Sequence, residues 1–472
     1  SDTRHQRNLL ASPQSTIIII LLSKLRSSVA EMIELPFRLS STPMPYPNLP
    51  QVACLLSVTF AAMTFIPDAE AQPAGFNYDE AEVPAYTLPD PLVDLAGKPV
   101  TDAAAWQHHR RAEVLRLFED HVFGRTPTAD VAVRFELLES DDQAYDGRAT
   151  RKQVRAHFAA RGHEVAMDIL IYLPNGVDGH SPLFVGLNFN GNHTVTHDPA
   201  VPVNQNWIRG GDHRSTEADR GTSAKRWAIE AALERGYGMA TIYCGDLDPD
   251  FDDGFQNGIH PLFYRDGQTQ PDANEWGTIG AWAWGLSRAM DYFENDAAVN
   301  HEQVALLGHS RLGKSSLWGG ASDERFAIVI SNNSGCGGAA LARRHFGETV
   351  ERINTSFPHW FNDAHQAYNE NEAAMPVDQH MLIALMAPRP VYIASATIDV
   401  WADPRGEFLS GKHAEPVYAL FGKIGLAVDD QPVADHPVGD HIGYHLRTGK
   451  HNVTDYDWEQ YLNFADRHFG RK

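Results

Sequence analysis

The sequence predicts an α/β protein: a mostly parallel central sheet in a three-layer αβα sandwich. Three observations lead there. Runs at 183–189, 238–244, 304–307, 326–330 and 391–394 are apolar on consecutive residues, as strands buried on both faces must be. Helical patterns alternate with them, at 224–235, 276–293, 406–421 and 454–469. The run Gln303–Leu307 feeds directly into Gly308-His309-Ser310-Arg311-Leu312-Gly313-Lys314-Ser315, a glycine-flanked serine opening a predicted helix.

Upstream of these, 103–121 has helical spacing, 84–91 is turn-rich, and 131–138, 152–158 and 165–173 read as strands. For the helix at 224–235, Ser223 is a candidate N-cap and Gly236 a stop. Two polar stretches, about 190–222 and 245–275, are too long for ordinary connections and read as binding loops or insertions. Both follow the C-terminal ends of strands, where open α/β sheets bind ligands.

The chain has 472 residues, 43% of them hydrophobic, ample for one enlarged α/β domain over 72–472. A formal net charge of -22 repels phosphate backbones and anionic lipid, so no nucleic-acid or membrane-surface partner is expected. The three cysteines, Cys54, Cys244 and Cys336, form no disulfide framework and no paired C-x-x-C signature; no metal and no cofactor are expected. Residues 1–71 read as an upstream segment and a secretory signal, with an apolar run at 52–66 ending near Ala69-Glu70-Ala71. That run is shorter than the roughly 20 residues of a membrane span. A secreted or periplasmic location follows, with an N-terminal anchor as the alternative.

The serine motif admits two chemistries. It fits the nucleophile turn of an α/β-hydrolase fold, where small residues let the chain bend and expose the hydroxyl. Gly308-x4-Gly313-Lys314-Ser315 also satisfies the phosphate-loop pattern. Against the phosphate loop, several strands precede it, and the next strand ends Ile330-Ser331-Asn332-Asn333 without an acid for magnesium. The hydrolase reading demands an acid and then a histidine, each on a loop after a later strand. The strand at 391–396 is followed by Asp399 and Asp403. His451 lies between Gly449 and the helix start at Asn452–Thr454. His445, in or beside a strand, reads as a packed structural histidine.

These residues resemble the glucuronoyl esterases, carbohydrate esterase family 15. The resemblance is carried by Gly308–Lys314, Asn332-Asn333-Ser334-Gly335-Cys336-Gly337-Gly338, Ala387-Pro388-Arg389-Pro390, Ile398-Asp399 with Trp401, and Gly449-Lys450-His451, and it covers about 180–470. It implies a serine esterase cleaving the ester between glucuronic acid, or its 4-O-methyl form, on xylan and lignin alcohols. It further implies Ser310 as nucleophile, His451 as base, and Arg311 at the oxyanion. Lys314 and Glu348 would hold sugar hydroxyls, with Trp401 over the ring. A monomer acting on a glucuronoxylan–lignin ester is expected.

Two departures stand out. Fungal members carry a glutamate where this chain has Asn333, so the acid must come from the next loop, as in bacterial relatives: Asp399, with Asp403 as competitor. The fungal cysteine pair is replaced by His309 and Asn452. Trp207, in the first long loop, is a candidate for contacting the alcohol. Alternatives are an acetyl-xylan or general carboxylesterase on the same fold, a non-catalytic carbohydrate-binding protein, and a phosphate-loop NTPase.

Overall fold

The computed structural model describes residues 72–177 and 179–471; the upstream segment and its expected signal lie outside them. Nine strands form one sheet: β1 (Ala132–Gln143), β2 (Ala149–Ala160), β3 (His163–Pro174), β4 (Ser181–Asn188), β5 (Gly238–Tyr243), β6 (Val299–His309), β7 (Ile328–Asn332), β8 (Val391–Ala396) and β9 (Ile442–Arg447). Their order is β1-β2-β3-β5-β4-β6-β7-β8-β9. The first three are an antiparallel meander, β3 meets β5 antiparallel, and every pairing from β5 to β9 is parallel. The fold is thus the expected α/β sheet, mixed at one end.

Alternation along the parallel strands feeds two cores. Val185, Leu306, Val329 and Ile393 enter one; Phe184, Ala305, Ile330 and Tyr392 enter the other. The first core is covered by α3 (Thr278–Phe293), α4 (Arg311–Ser322) and α7 (Pro404–Leu420), which supply Trp282, Leu317 and Phe408. α1 (Arg111–Phe118) adds Val114 to the same side, as do α5 (Val350–Ser356), through Val350 and Ile353, and α6 (Gln379–Ala384), two helices that the sequence pattern does not reveal. The second core lies under α2 (Ile229–Glu234) and α8 (Asp455–Phe469), through Leu233, Trp458 and Tyr461. Both faces are buried because βαβ crossovers place helices on each side, which is why the strand sequences lack polar alternation.

The helix expected at 224–235 is broken. A single turn at Ala224–Arg226 ends at Trp227 (φ -126°, ψ 95°), and α2 begins only at Ile229. Ser223 makes no capping hydrogen bond. The connection from β4 leads to β5 on one side, whereas β6 lies on the other. This is a topological switch, and the crevice beyond the strand ends there is where open α/β sheets take ligands. Among the described residues no helix is long and apolar enough to cross a membrane, and no histidine, cysteine or acid cluster could hold a metal ion.

Candidate active site

β6 ends in a sharp turn at Ser310, whose backbone sits at φ 58°, ψ -131°. For a non-glycine residue this strained conformation costs about 1–3 kcal/mol and persists only where its surroundings enforce it. The Ser310 N–H donates to the Asn332 carbonyl (2.9 Å), and the Gly313 N–H donates to the Ser310 carbonyl (2.8 Å). Gly308 makes the bend possible: a Cβ there would lie 2.0 Å from the Leu312 carbonyl oxygen. Serine at a helix N-cap ordinarily spends its hydroxyl on the first turn. Ser310 precedes α4 but makes no such bond, so its Oγ is uncommitted.

The loops after β8 and β9 are laced together. Thr397 and Ile398 N–H groups donate to the Arg447 and Gly449 carbonyls (2.9 Å each), and the Gly449 N–H donates to Thr397 Oγ1 (3.1 Å). This brings Asp399 Oδ2 to 2.6 Å from His451 Nδ1. Asn333 Nδ2 donates to the same oxygen at 2.8 Å. The imidazole side chain is 42% exposed and the carboxylate only 5%, so the pair opens outward through the ring. Asp403 is elsewhere. It accepts from Arg344 Nε (2.8 Å) and caps α7 at the Gly406 N–H (2.9 Å). His445 is a buried structural histidine, held between Asp457 (2.9 Å) and Tyr392 (3.0 Å).

His309 packs its ring 4.5 Å from that of His451. Burial, then the neighbouring His451, push its pKa well below the usual imidazole range. Its Nδ1 lies 2.6 Å from Asn332 Oδ1. The Asn332 amide nitrogen is turned towards Asp457 and the Tyr461 hydroxyl, so His309 Nδ1 carries the proton. A neutral ring beside His451 imposes no repulsion if His451 becomes cationic.

Ser310, Arg311, Lys314, Asn333, Glu348, Asp399, Trp401 and His451 line one cavity of about 410 Å³, with Trp360, Phe357, Gln72 and Pro73. The structure therefore brings every expected site residue except Trp207 to a single hollow. Lys314 Nζ donates to the Ser334 carbonyl (2.5 Å) and lies 3.8 Å from Glu348 Oε2. Burial raises the Glu348 pKa against the lowering charge of Lys314. The lysine is thus bound to a carboxylate and a carbonyl, not presented to phosphate as a phosphate loop requires. Trp401 is wedged edge-on against Phe76 (4.9 Å), which fixes its plane. Trp207 instead stacks on His213, and its carbonyl accepts from the Tyr243 hydroxyl; the first long loop reaches the site through Arg209.

Sequence patterns miss the residue that holds Arg311. Asp250, from the second long loop, accepts from Arg311 Nη1 (2.5 Å) and Arg209 Nη1 (3.1 Å) on Oδ2, and from Trp360 Nε1 (2.8 Å) on Oδ1, where His359 Nε2 also lies at 3.1 Å. Burial works to raise its pKa, but the His359 hydrogen bond and the Arg311 charge outweigh it and hold Asp250 below the ordinary carboxylate range. The Arg311 guanidinium lies 5.3 Å from the ring centres of both Phe189 and Trp360. The position of this loop after β5 is the only sequence signal for Asp250.

The site offers an uncommitted hydroxyl, an imidazole oriented by a carboxylate, and a fixed guanidinium, which together suit acyl transfer. A family model described as fungal glucuronyl esterase matches residues 264–422. Carbohydrate esterase MZ0003, from an unknown prokaryotic organism, is 52% identical over 423 residues, spanning 88% of this chain and 98% of its own. A glucuronoyl esterase structure from Solibacter usitatus has TM-score 0.80 at 49% identity, covering 83% of this chain and 100% of that one. One from Teredinibacter turnerae T7901 has TM-score 0.70 at 27% identity, covering 84% and 93%. On the strength of this near full-length likeness to carbohydrate esterases, the chain belongs to the glucuronoyl esterases of carbohydrate esterase family 15.

Proposed function

We propose that this esterase cleaves the ester between xylan-borne glucuronic acid, or its 4-O-methyl form, and lignin alcohols, through Ser310, His451 and Asp399. One observation carries the reading: the 2.6 Å Asp399–His451 contact faces the cavity that also holds Ser310. With Nδ1 engaged by Asp399, Nε2 is the nitrogen left to take the Ser310 proton. Ser310 Oγ attacks the ester carbonyl, and the oxygen that gains charge meets the Arg311 backbone N–H, the positive end of α4 and the Arg311 guanidinium. Preorganised donors of this kind contribute about 3–4 kcal/mol each to transition-state stability. His451 then protonates the leaving alcohol, and water hydrolyses the glucuronoyl-serine. Lys314, buried, and Glu348, partly buried beside it, offer a cation and a carboxyl to neighbouring sugar hydroxyls, with Trp401 alongside the ring. A plant-wall substrate lies outside the cell, which goes with the secretory signal expected upstream.

The test is turnover of benzyl glucuronate against acetylated xylan and p-nitrophenyl acetate, by the parent and by Ser310→Ala. Preference for the glucuronate, abolished in the variant, is expected. A preference for the acetyl substrates would remove the glucuronoyl assignment. A broader esterase is the second reading, because a relative at 53% identity is described as a promiscuous esterase from a marine bacterial metagenome.

A further inference from the structure

Ser310, Arg311 and His451 also line a second cavity, of about 260 Å³, on the side of Phe189, Arg209, Arg226 and Tyr243. An ester carbonyl held at a nucleophile projects its acyl and alcohol parts in different directions. With the first cavity furnished by Lys314, Glu348 and Trp401 for the sugar, the second is where the alcohol extends. This step rests on the esterase reading given above.

The second cavity carries an excess of positive charge. Three guanidiniums, from Arg209, Arg226 and Arg311, face one carboxylate, Asp250, and that carboxylate is already shared by Arg209 and Arg311. His309, also in the lining, is held neutral by its burial. Arg226 stands exposed at the rim, and among the described residues no carboxylate lies within 4 Å of it. Yet it is not loose. Its Nε donates to Asn452 Oδ1 (2.7 Å), and its carbonyl accepts from Trp458 Nε1 (2.8 Å), beside the break at Trp227 that turns it away from α2. An anchored guanidinium with its Nη groups unspent is unusual on a chain of net charge -22, where acidic partners abound. Arginine matches carboxylate geometry through two parallel N–H bonds. Phe189 and Tyr243 add aromatic surface to the same hollow.

We propose that the second cavity is an alcohol-side subsite for aromatic alcohols bearing a carboxylate, with Arg226 pairing that carboxylate. The leaving group is then recognised by charge as well as by ring.

The experiment compares two glucuronic acid esters, one of benzyl alcohol and one of 4-(hydroxymethyl)benzoate, on the full chain at low and high salt. At low salt, kcat/KM for the carboxylated ester should exceed that for the benzyl ester about fivefold or more, the size of a partly exposed ion pair near 1 kcal/mol, and the ratio should shrink as salt screens it. In Arg226→Gln the ratio should fall to near one. A ratio near one in the parent, with the benzyl ester turned over, overturns the subsite. A ratio that persists in Arg226→Gln overturns the assignment to Arg226. Turnover of neither ester overturns the glucuronoyl reading itself, and the subsite with it.

Discussion

Asp250→Asn is the sharpest test of how the oxyanion side of the site is built. The carboxylate uses one oxygen for Arg311 and Arg209 and the other for His359 and Trp360. An asparagine can serve only one of these sides. If its oxygen stays with Trp360, its NH2 group confronts two guanidiniums; if it flips, the indole N–H meets another donor. Loss of a hydrogen bond to a charged group costs about 1.5–3 kcal/mol. What matters for rate is that Arg311 loses the anchor fixing its guanidinium, and one misplaced oxyanion donor costs about 100- to 1000-fold in kcat. The expected result is a kcat on benzyl glucuronate lower by about 100-fold, with a much smaller change in KM, since the interaction is realised in the transition state. Folding damage alone could mimic the loss, so the decisive measurement is a double-mutant cycle. In an Arg311→Ala background, Asp250→Asn should cost less than about threefold, because the group it positions is gone. Equal cost in both backgrounds, or near-parental kcat in the single variant, would refute Asp250 as a positioning residue.

Asp399→Asn should cost about 1000- to 10,000-fold in kcat, because an amide cannot stabilise the imidazolium by charge; near-parental turnover would transfer the acid role away from this residue. Asn333→Ala, which removes one neutral donor to Asp399, should cost less than about tenfold. Asp403→Asn should instead lower stability by about 1.5–3 kcal/mol, because buried Arg344 loses one charged partner and keeps only the partly exposed Glu80 (2.6 Å), with kcat of the folded fraction little changed; a large kcat loss at parental Tm would contradict that. Glu407→Gln tests a buried acid by its pH signature. Burial raises the Glu407 pKa to about 8, so the folded state keeps a proton that the unfolded chain releases near pH 4. Stability from this group is therefore full at acid pH and is lost as pH climbs towards 8. The Tm of Glu407→Gln relative to the parent should rise between pH 5 and pH 9; parallel Tm curves would dismiss the effect.

The parts of the site legible in the sequence are those fixed by regular elements. Ser310 could be placed because a strand of buried period runs into Gly308 with no residue to spare. Asp399 and His451 could be narrowed down because each follows a strand by a short loop. Arg226 was hidden by periodicity itself: 224–235 has helical spacing, yet the chain extends at Trp227 and turns Arg226 to the second cavity. Asp250 had no pattern to betray it, since the 245–275 segment has no period and its partners are 41 to 110 residues away. Trp207 was the natural aromatic to expect in the first long loop, but contact with His213 of that loop and Phe251 of the second gives it a packing role between the two loops. Long-range side-chain pairing in irregular segments leaves no local trace.

The electrostatics around His451 explain how an amide at position 333 is compatible with esterase chemistry. Two further groups pack close to Asp399 and could in principle compete with it. Asn333 is neutral and points its NH2 at the carboxylate. Glu407 lies behind, accepting from the Ser334 and Gly335 N–H groups (2.8 and 3.0 Å), with Ser395 Oγ 2.6 Å from its other oxygen, and its raised pKa keeps it protonated at neutral pH. A second ionised carboxylate would repel Asp399 and draw the imidazolium away from it. With Glu407 protonated, one negative charge faces His451, and the neutral His309 ring packs against it at 4.5 Å. In the proposed acyl transfer an imidazolium at His451 would then have one anionic partner, Asp399 on its Nδ1 side. On this argument Asn333→Glu should not improve the enzyme. With Asp399 intact it should raise the pH at which kcat/KM reaches its plateau, because a second carboxylate stabilises the protonated base. An unchanged pH profile in that variant would mean that position 333 has no electrostatic connection to His451.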